Sequence, residues 1–133
     1  MSKLAEYYKK RADEEDLHAR WIIQYLNNCS AEFKMPKINE VTTEIKNLEH
    51  PFDLTVDLEI YTTQCINKLV KSAWEEGDYT TFNWLNGDSH EEGKLVLEQR
   101  EEETTSRAIA GIAHMDVDWL TKQDSILEYY GNI

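Results

Sequence analysis

The stretch Glu14-Glu15-Asp16-Leu17-His18 decides the fold, because it lies inside a long helical pattern at residues 1–28. One face of that pattern is spaced alternately by four and three residues, as in a helix packed against other helices. Its members are Leu4, Tyr8, Arg11, Glu15, His18, Ile22, Tyr25 and Cys29. The apolar members suit a buried face, whereas Glu15 and His18 are expected there only if they bind something in the interior of a bundle.

The pair Glu15 and His18 has two interpretations. Glu and His separated by one helical turn project side by side, so both can bind the same ion. Glu-x-x-His is also the unit with which helical bundles hold iron or manganese in their cores. The simpler interpretation is a solvated face, because such strings are common in acidic helices. The rest of the chain has to decide between the two.

The composition describes a single helical domain at residues 1–133, with only 5 glycines and 2 prolines. The net charge of −12 argues against direct binding to DNA or to an anionic membrane. It fits a cation-binding protein, or one that mimics nucleic acid. Cys29 and Cys65 fall in helical apolar patterns, and we expect reduced core residues there. We recognise neither a signal peptide nor a membrane span, so we expect a cytoplasmic location.

Further helical segments follow the first helix. The predicted segments are a crossover at 30–51 with one short helical turn around 40–47, a second helix at 53–76, a third helix at 79–113 with a break near 86–89, and a C-terminal helix at 115–130. Ser89-His90-Glu91-Glu92 has the form of a capping box that restarts the third helix. A long crossover allows the first and second helices to run parallel.

The second and third helices also carry polar residues on their inward faces. These faces comprise Phe52, Thr55, Glu59, Thr62, Ile66, Leu69 and Ala73 in the second helix, and Glu92, Leu95, Gln99, Glu102, Ser106, Ile109 and Ala113 in the third. A single residue such as Glu59 is more often found at the edge of a helix than in a site. Of the three glutamates at 101–103, two must be solvated, since they cannot all face inward.

Four segments share residues with one known family. They are residues 11–18, Glu59 together with residues 63–69, residues 77–85 and residues 98–103. These segments resemble bacterial-type ferritins, and the string Asp78-Tyr79-Thr80-Thr81-Phe82-Asn83-Trp84-Leu85 is the more specific part of the resemblance. The resemblance implies an all-α, ferritin-like helical bundle with a di-iron centre. It implies that Glu15, His18, Glu59 and Glu102 bind iron, and that Gln99 donates a hydrogen bond to the oxygen species.

The chain departs from the ferritin pattern in two places. It starts at what would be the second helix of the family, so the first-helix glutamate has no counterpart and we expect an incomplete di-iron site. An insertion of about two helical turns at 86–94 keeps Gln99 and Glu102 in register. An ungapped alignment would bring Glu92 to the site instead, and we prefer Gln99 and Glu102 because the longer string matches.

Two functional hypotheses follow. The first is a ferritin-like protein that oxidises or sequesters iron(II), with ferroxidase activity left open by the incomplete site. The alternative is a non-catalytic, acidic interaction protein on a degenerate ferritin scaffold, which binds a partner protein or mimics nucleic acid. A different di-metal enzyme has no recognisable substrate pocket. We expect self-association into a dimer or larger oligomer that completes the bundle.

Overall fold

The described part of the chain, residues 2–87 and 94–122 of a computed structural model, contains four helices and a long connection between the first two. The helices are α1 at Ser2–Asn28, α2 at His50–Glu75, α3 at Tyr79–Asn86 and α4 at Leu95–Lys122. The described residues contain no strand, and the predicted all-α bundle is confirmed. None of these four helices has the length and apolar character that crossing a membrane requires.

The side-chain contacts set the directions of the helices. Tyr8 of α1 bonds to Thr55 near the start of α2, and Tyr25 near the end of α1 bonds to Thr81 in α3. The chain therefore runs in the same direction along α1 and α2, as a long crossover permits. In contrast, His114 near the end of α4 lies 2.7 Å from Asp53 at the start of α2, so these two helices are antiparallel.

The apolar core lies where the first turns of α1 and α2 meet the second half of α4. Its buried members are Leu4, Tyr7, Phe52, Ile109, Ala110, Ala113 and Leu120. Phe52 and Ile109 are the largest fully buried side chains among the described residues. Burial of a side chain of this size stabilises the fold by about 1.5–3 kcal/mol. The other half of the bundle, towards Gln99, carries polar groups on the same inward faces.

The crossover differs from the sequence prediction. Residues 31–46 have no regular secondary structure, so the predicted helical turn around 40–47 is wrong. The apolar side chains there, including Ile38 and Val41, are exposed, and a short helix without a packing partner is not stable. Helix α2 begins at His50 rather than at the predicted residue 53. Asn47 Oδ1 accepts the His50 N–H, and Pro51 fits the first turn, where no N–H is needed.

Two glycines mark the ends of α2 and α3. Gly77 has φ +70° just before Asp78, whose side chain caps α3 by accepting the backbone N–H of Thr81. Gly87 has φ +76° and ends α3 in the left-handed region, as a helix end commonly does. The predicted capping box at 89–92, including Glu92, lies outside the described residues.

The end of α4 combines two predicted segments. The helix is continuous from Leu95 to Lys122 except for a kink at Asp116, where φ is −159° and ψ is 87°. We predicted that the third helix ends at 113 and a C-terminal helix begins at 115, close to this kink. The part of the predicted C-terminal helix at 123–130 lies outside the described residues.

Some predicted inward positions are wrong. Tyr7 is more buried than Tyr8, and Ile22 and Leu69 are exposed because the short helix α3, which contacts Tyr25 and Trp74, leaves them uncovered. Cys29 and Cys65 are free, but Cys29 is exposed rather than in the core, since α1 ends at Asn28. The periodic pattern thus overestimated how far the packed face continues along each helix.

Candidate metal centre

His18 lies among carboxylates from two helices. Its Nδ1 atom is 3.9 Å from Glu15 Oε2, on the same helix, and 3.8 Å from Glu102 Oε1 on α4. Its Nε2 atom is 2.7 Å from Glu98 Oε2, also on α4. One ligand atom each of Glu15, His18 and Glu102 lies within 4.8 Å of the others, a spacing that suits a single ion.

The cluster is buried on one side and open on the other. The side chains of His18 and Glu102 are 12% and 13% exposed, whereas that of Glu15 is 49% exposed. Glu15 therefore forms the solvent-facing edge, and Glu102 forms the inner wall. This arrangement gives an ion a path from water to the buried groups.

The pKa values of the cluster are shifted because its ionisable side chains are partly buried and lie close to one another. Burial, together with the nearby charge of Glu15, raises the pKa of Glu102 to about 8. Glu15 raises the pKa of His18 to about 9, with Glu102 and Glu98 contributing, while His18 in turn lowers the pKa of Glu15. Near neutral pH the cluster therefore holds protons on His18 and Glu102, and binding of a cation would release them.

One carboxylate oxygen in the cluster has no partner. Glu102 Oε2 and Ser106 Oγ are the buried side-chain oxygens without a hydrogen bond among the described residues. Buried polar atoms are normally paired, because leaving them unpaired costs about 1–3 kcal/mol. A cation bound beside Glu102 would pair with this oxygen, so the donor set fits a metal ion. Carboxylate and imidazole ligands suit iron(II), manganese and zinc.

Glu59 lies in a neighbouring network. Its Oε1 accepts a 2.6 Å hydrogen bond from Arg11 Nη2, and its Oε2 accepts a 2.6 Å hydrogen bond from Gln99 Nε2. The Gln99 amide also reaches the Glu59 backbone oxygen at 3.0 Å and Thr63 Oγ1 at 3.3 Å. The structure therefore brings together Glu15, His18 and Glu102, and engages Glu59 and Gln99 with each other.

Sequence reasoning assigned no role to Arg11 or Glu98. The helical spacing puts Arg11 on the inward face of α1, and a lone cation there signals a buried anion nearby. Glu98 lies one helical turn before Glu102, so the two side chains project from the same side of α4. That spacing was the available signal for a second carboxylate beside His18.

The chain is similar to known proteins over most of its length. Residues 1–110 match the family model described as "Ferritin-like domain". The bacterial non-heme ferritin of Campylobacter jejuni is 34% identical over 98 residues, which cover 74% of this chain and 54% of that protein. The bacterial non-heme ferritin of Escherichia coli O157:H7 is 34% identical over 97 residues, covering 68% and 57%.

A mycobacterial protein shows the same likeness at lower identity. Ferritin BfrB of Mycolicibacterium smegmatis is 30% identical over 79 residues, covering 59% of this chain and 44% of that protein. The chain thus spans about half the length of the curated relatives that it matches. No solved structure matches it with statistical significance.

Proposed function

The chain belongs to the ferritin-like domain family, and from that premise we propose that it binds iron(II) for oxidation or storage. The proposed site consists of Glu15, His18 and Glu102. The observation that carries the proposal is the convergence of their ligand atoms within 4.8 Å, beside a buried oxygen of Glu102 that has no partner. Iron is the substrate of this site.

Each residue has a separate task in this proposal. Glu15, at the solvent-facing edge, would take the ion from water, and the negative charge of the chain would raise the local cation concentration. Glu102 would give up its proton and complete the inner side of the site. His18 would bind through Nδ1, because its Nε2 proton is directed at Glu98 Oε2, 2.7 Å away. Such an outer carboxylate fixes the ring orientation and makes the bound nitrogen more basic.

A double substitution tests the site. We expect Glu15→Ala with His18→Ala to abolish iron(II) binding, measured by anaerobic titration followed by metal analysis. The matched control is Asp53→Ala with His114→Ala, which also removes one carboxylate and one histidine, but from a pair on the surface. Unchanged iron stoichiometry in the first variant would reject the site. A wild-type chain that binds no iron would favour the alternative, an acidic interaction protein.

Self-association is the second part of the proposal. Leu58, Tyr61 and Leu69 are exposed and lie along one face of α2 at helical spacing. Contiguous exposed apolar residues commonly mark interaction surfaces. We expect a dimer or larger oligomer, which the solution mass measures directly. A monomer at micromolar concentration would contradict this part without affecting the metal site.

A further inference from the structure

The ion pair between Arg11 and Glu59 lies beside the cluster of Glu15, His18 and Glu102. The two side chains are 13% and 9% exposed, and Arg11 Nη2 lies 2.6 Å from Glu59 Oε1. The other oxygen of Glu59 accepts the hydrogen bond of Gln99. Both oxygens of this carboxylate are therefore engaged by protein donors, one of them the positively charged Arg11.

The guanidinium group of Arg11 is held from more than one side. Its Nη1 atom donates to Tyr7 Oη at 3.4 Å, and its central carbon lies 5.7 Å from the centre of the Tyr7 ring. Tyr7 is itself buried in the core. A cation over an aromatic face is stabilised by the ring, so Tyr7 and Glu59 together fix the position of the positive charge.

A second divalent ion beside Glu59 would have to break this arrangement. It would separate Arg11 from its carboxylate and leave a largely buried guanidinium unpaired beside another positive charge. Proteins avoid unpaired buried charges, because the lost solvation is not recovered. The cluster of Glu15, His18 and Glu102 contains no arginine or lysine that a cation would have to displace.

We propose that the centre binds one divalent cation per chain, at Glu15, His18 and Glu102, and that the Arg11 guanidinium takes the place of a second cation beside Glu59. This inference rests on the proposed function and specifies its stoichiometry. One iron(II) gives up one electron when it is oxidised, whereas reduction of dioxygen to hydrogen peroxide takes two electrons and two protons. A centre that holds one iron therefore cannot supply both of the electrons that one dioxygen molecule needs to become hydrogen peroxide.

The test counts cations bound to variants at residue 11. Cobalt(II) is the probe, because it binds the same ligand types without being oxidised under anaerobic conditions, and equilibrium dialysis gives the stoichiometry. We expect one cobalt per chain for the wild type and for Arg11→Lys, which keeps the charge. We expect two for Arg11→Met, which removes the charge but retains a long side chain. Two for the wild type, or one for Arg11→Met, would overturn the inference.

A second substitution covers the case in which Arg11→Met does not fold. Glu59→Gln keeps the shape of the side chain and removes its charge. If Glu59 is not a ligand, this variant still binds one cobalt per chain, although the unbalanced charge of Arg11 lowers the affinity. A variant that binds no cobalt at saturating concentration would overturn the inference. A wild-type chain that binds no cobalt would instead reject the metal site itself, so the two failures are distinguishable.

Discussion

His18 Nε2 and Glu98 Oε2 are joined across α1 and α4 by a 2.7 Å contact. This contact turns the Nδ1 atom of the ring towards Glu15 and Glu102. The orientation of the nitrogen that we propose to bind the metal therefore depends on Glu98, a residue outside the predicted ligand set.

Replacement of Glu98 should weaken cation binding without abolishing it. We expect Glu98→Ala to lower cobalt(II) affinity by about 10–100-fold, as is usual for loss of a carboxylate behind a histidine ligand. Glu98→Gln should lose less, because its amide oxygen can still accept the Nε2 proton. Glu101→Ala, an exposed neighbour on α4, is the control and should bind like the wild type. If all three variants bound cobalt(II) with the same affinity, Glu98 would have no role in the site.

The metal-free protein should become less stable as the pH rises from about 5 to 9. The folded pKa of Glu102 is about 8 against an ordinary 4.5, and that of His18 is about 9 against 6.5. Both pKa values are raised by folding. Each group therefore contributes stability that is complete below its ordinary pKa and is lost as the pH passes its folded pKa.

Urea unfolding at pH 5, 7 and 9 measures this dependence. Glu102→Gln isolates one contribution, because it replaces the titrating group with a neutral one of the same shape. We expect the free energy of unfolding of this variant to fall less between pH 5 and 9 than that of the wild type. Parallel curves for the two proteins would contradict the role of Glu102.

Phe52 should be among the most sensitive apolar positions. It is fully buried where α1, α2 and α4 meet, and Phe52→Ala should reduce the free energy of unfolding by about 3–5 kcal/mol. Phe33→Ala, in the exposed crossover, is the matched control, and its effect should stay within about 0.5 kcal/mol. Similar effects at the two positions, measured by urea unfolding, would contradict the location of the core.

The two turn glycines should differ in their tolerance of alanine. Both have positive φ, so Gly77→Ala and Gly87→Ala should each lose about 1–2 kcal/mol from backbone strain. A Cβ atom at residue 77 meets nothing within 4 Å, whereas at residue 87 it lies 2.7 Å from Lys94 Cγ and 3.0 Å from Lys94 Cα. Gly87→Ala should therefore lower the melting temperature more. A larger decrease in melting temperature for Gly77→Ala would show that Lys94 moves away from a Cβ atom at residue 87.

The inward face of α4 was predictable from sequence because its spacing is regular over several turns. Leu95, Gln99, Ser106, Ile109 and Ala113 are all buried, as the pattern predicted. The approach of Glu15, His18 and Glu102 also follows from placing helical faces opposite one another. The family resemblance supplied the reason to look for it.

The partners of Glu59 were not predictable in the same way. Arg11 lies on another helix, and its long side chain could reach several carboxylates. Only the packing of the helices shows that its partner is Glu59. The helical turn predicted around 40–47 in the crossover was wrong for a related reason, since local pattern does not say whether a segment has anything to pack against. Both the partners of Glu59 and the conformation of residues 40–47 depend on contacts with distant parts of the chain, which the periodicity of the sequence does not reveal.

The hydrogen bond from Gln99 to Glu59 also sets the axial alignment of α4 against α2. A slide of α4 by one turn in either direction would place Leu95 or Glu103 opposite Glu59. Leucine offers the carboxylate no donor, and a second glutamate repels it, so both misalignments are penalised. Apolar contacts alone would discriminate less sharply between such neighbouring alignments. Thus the side chain of Gln99 can fix the axial position of α4 relative to α2 before any ion is bound.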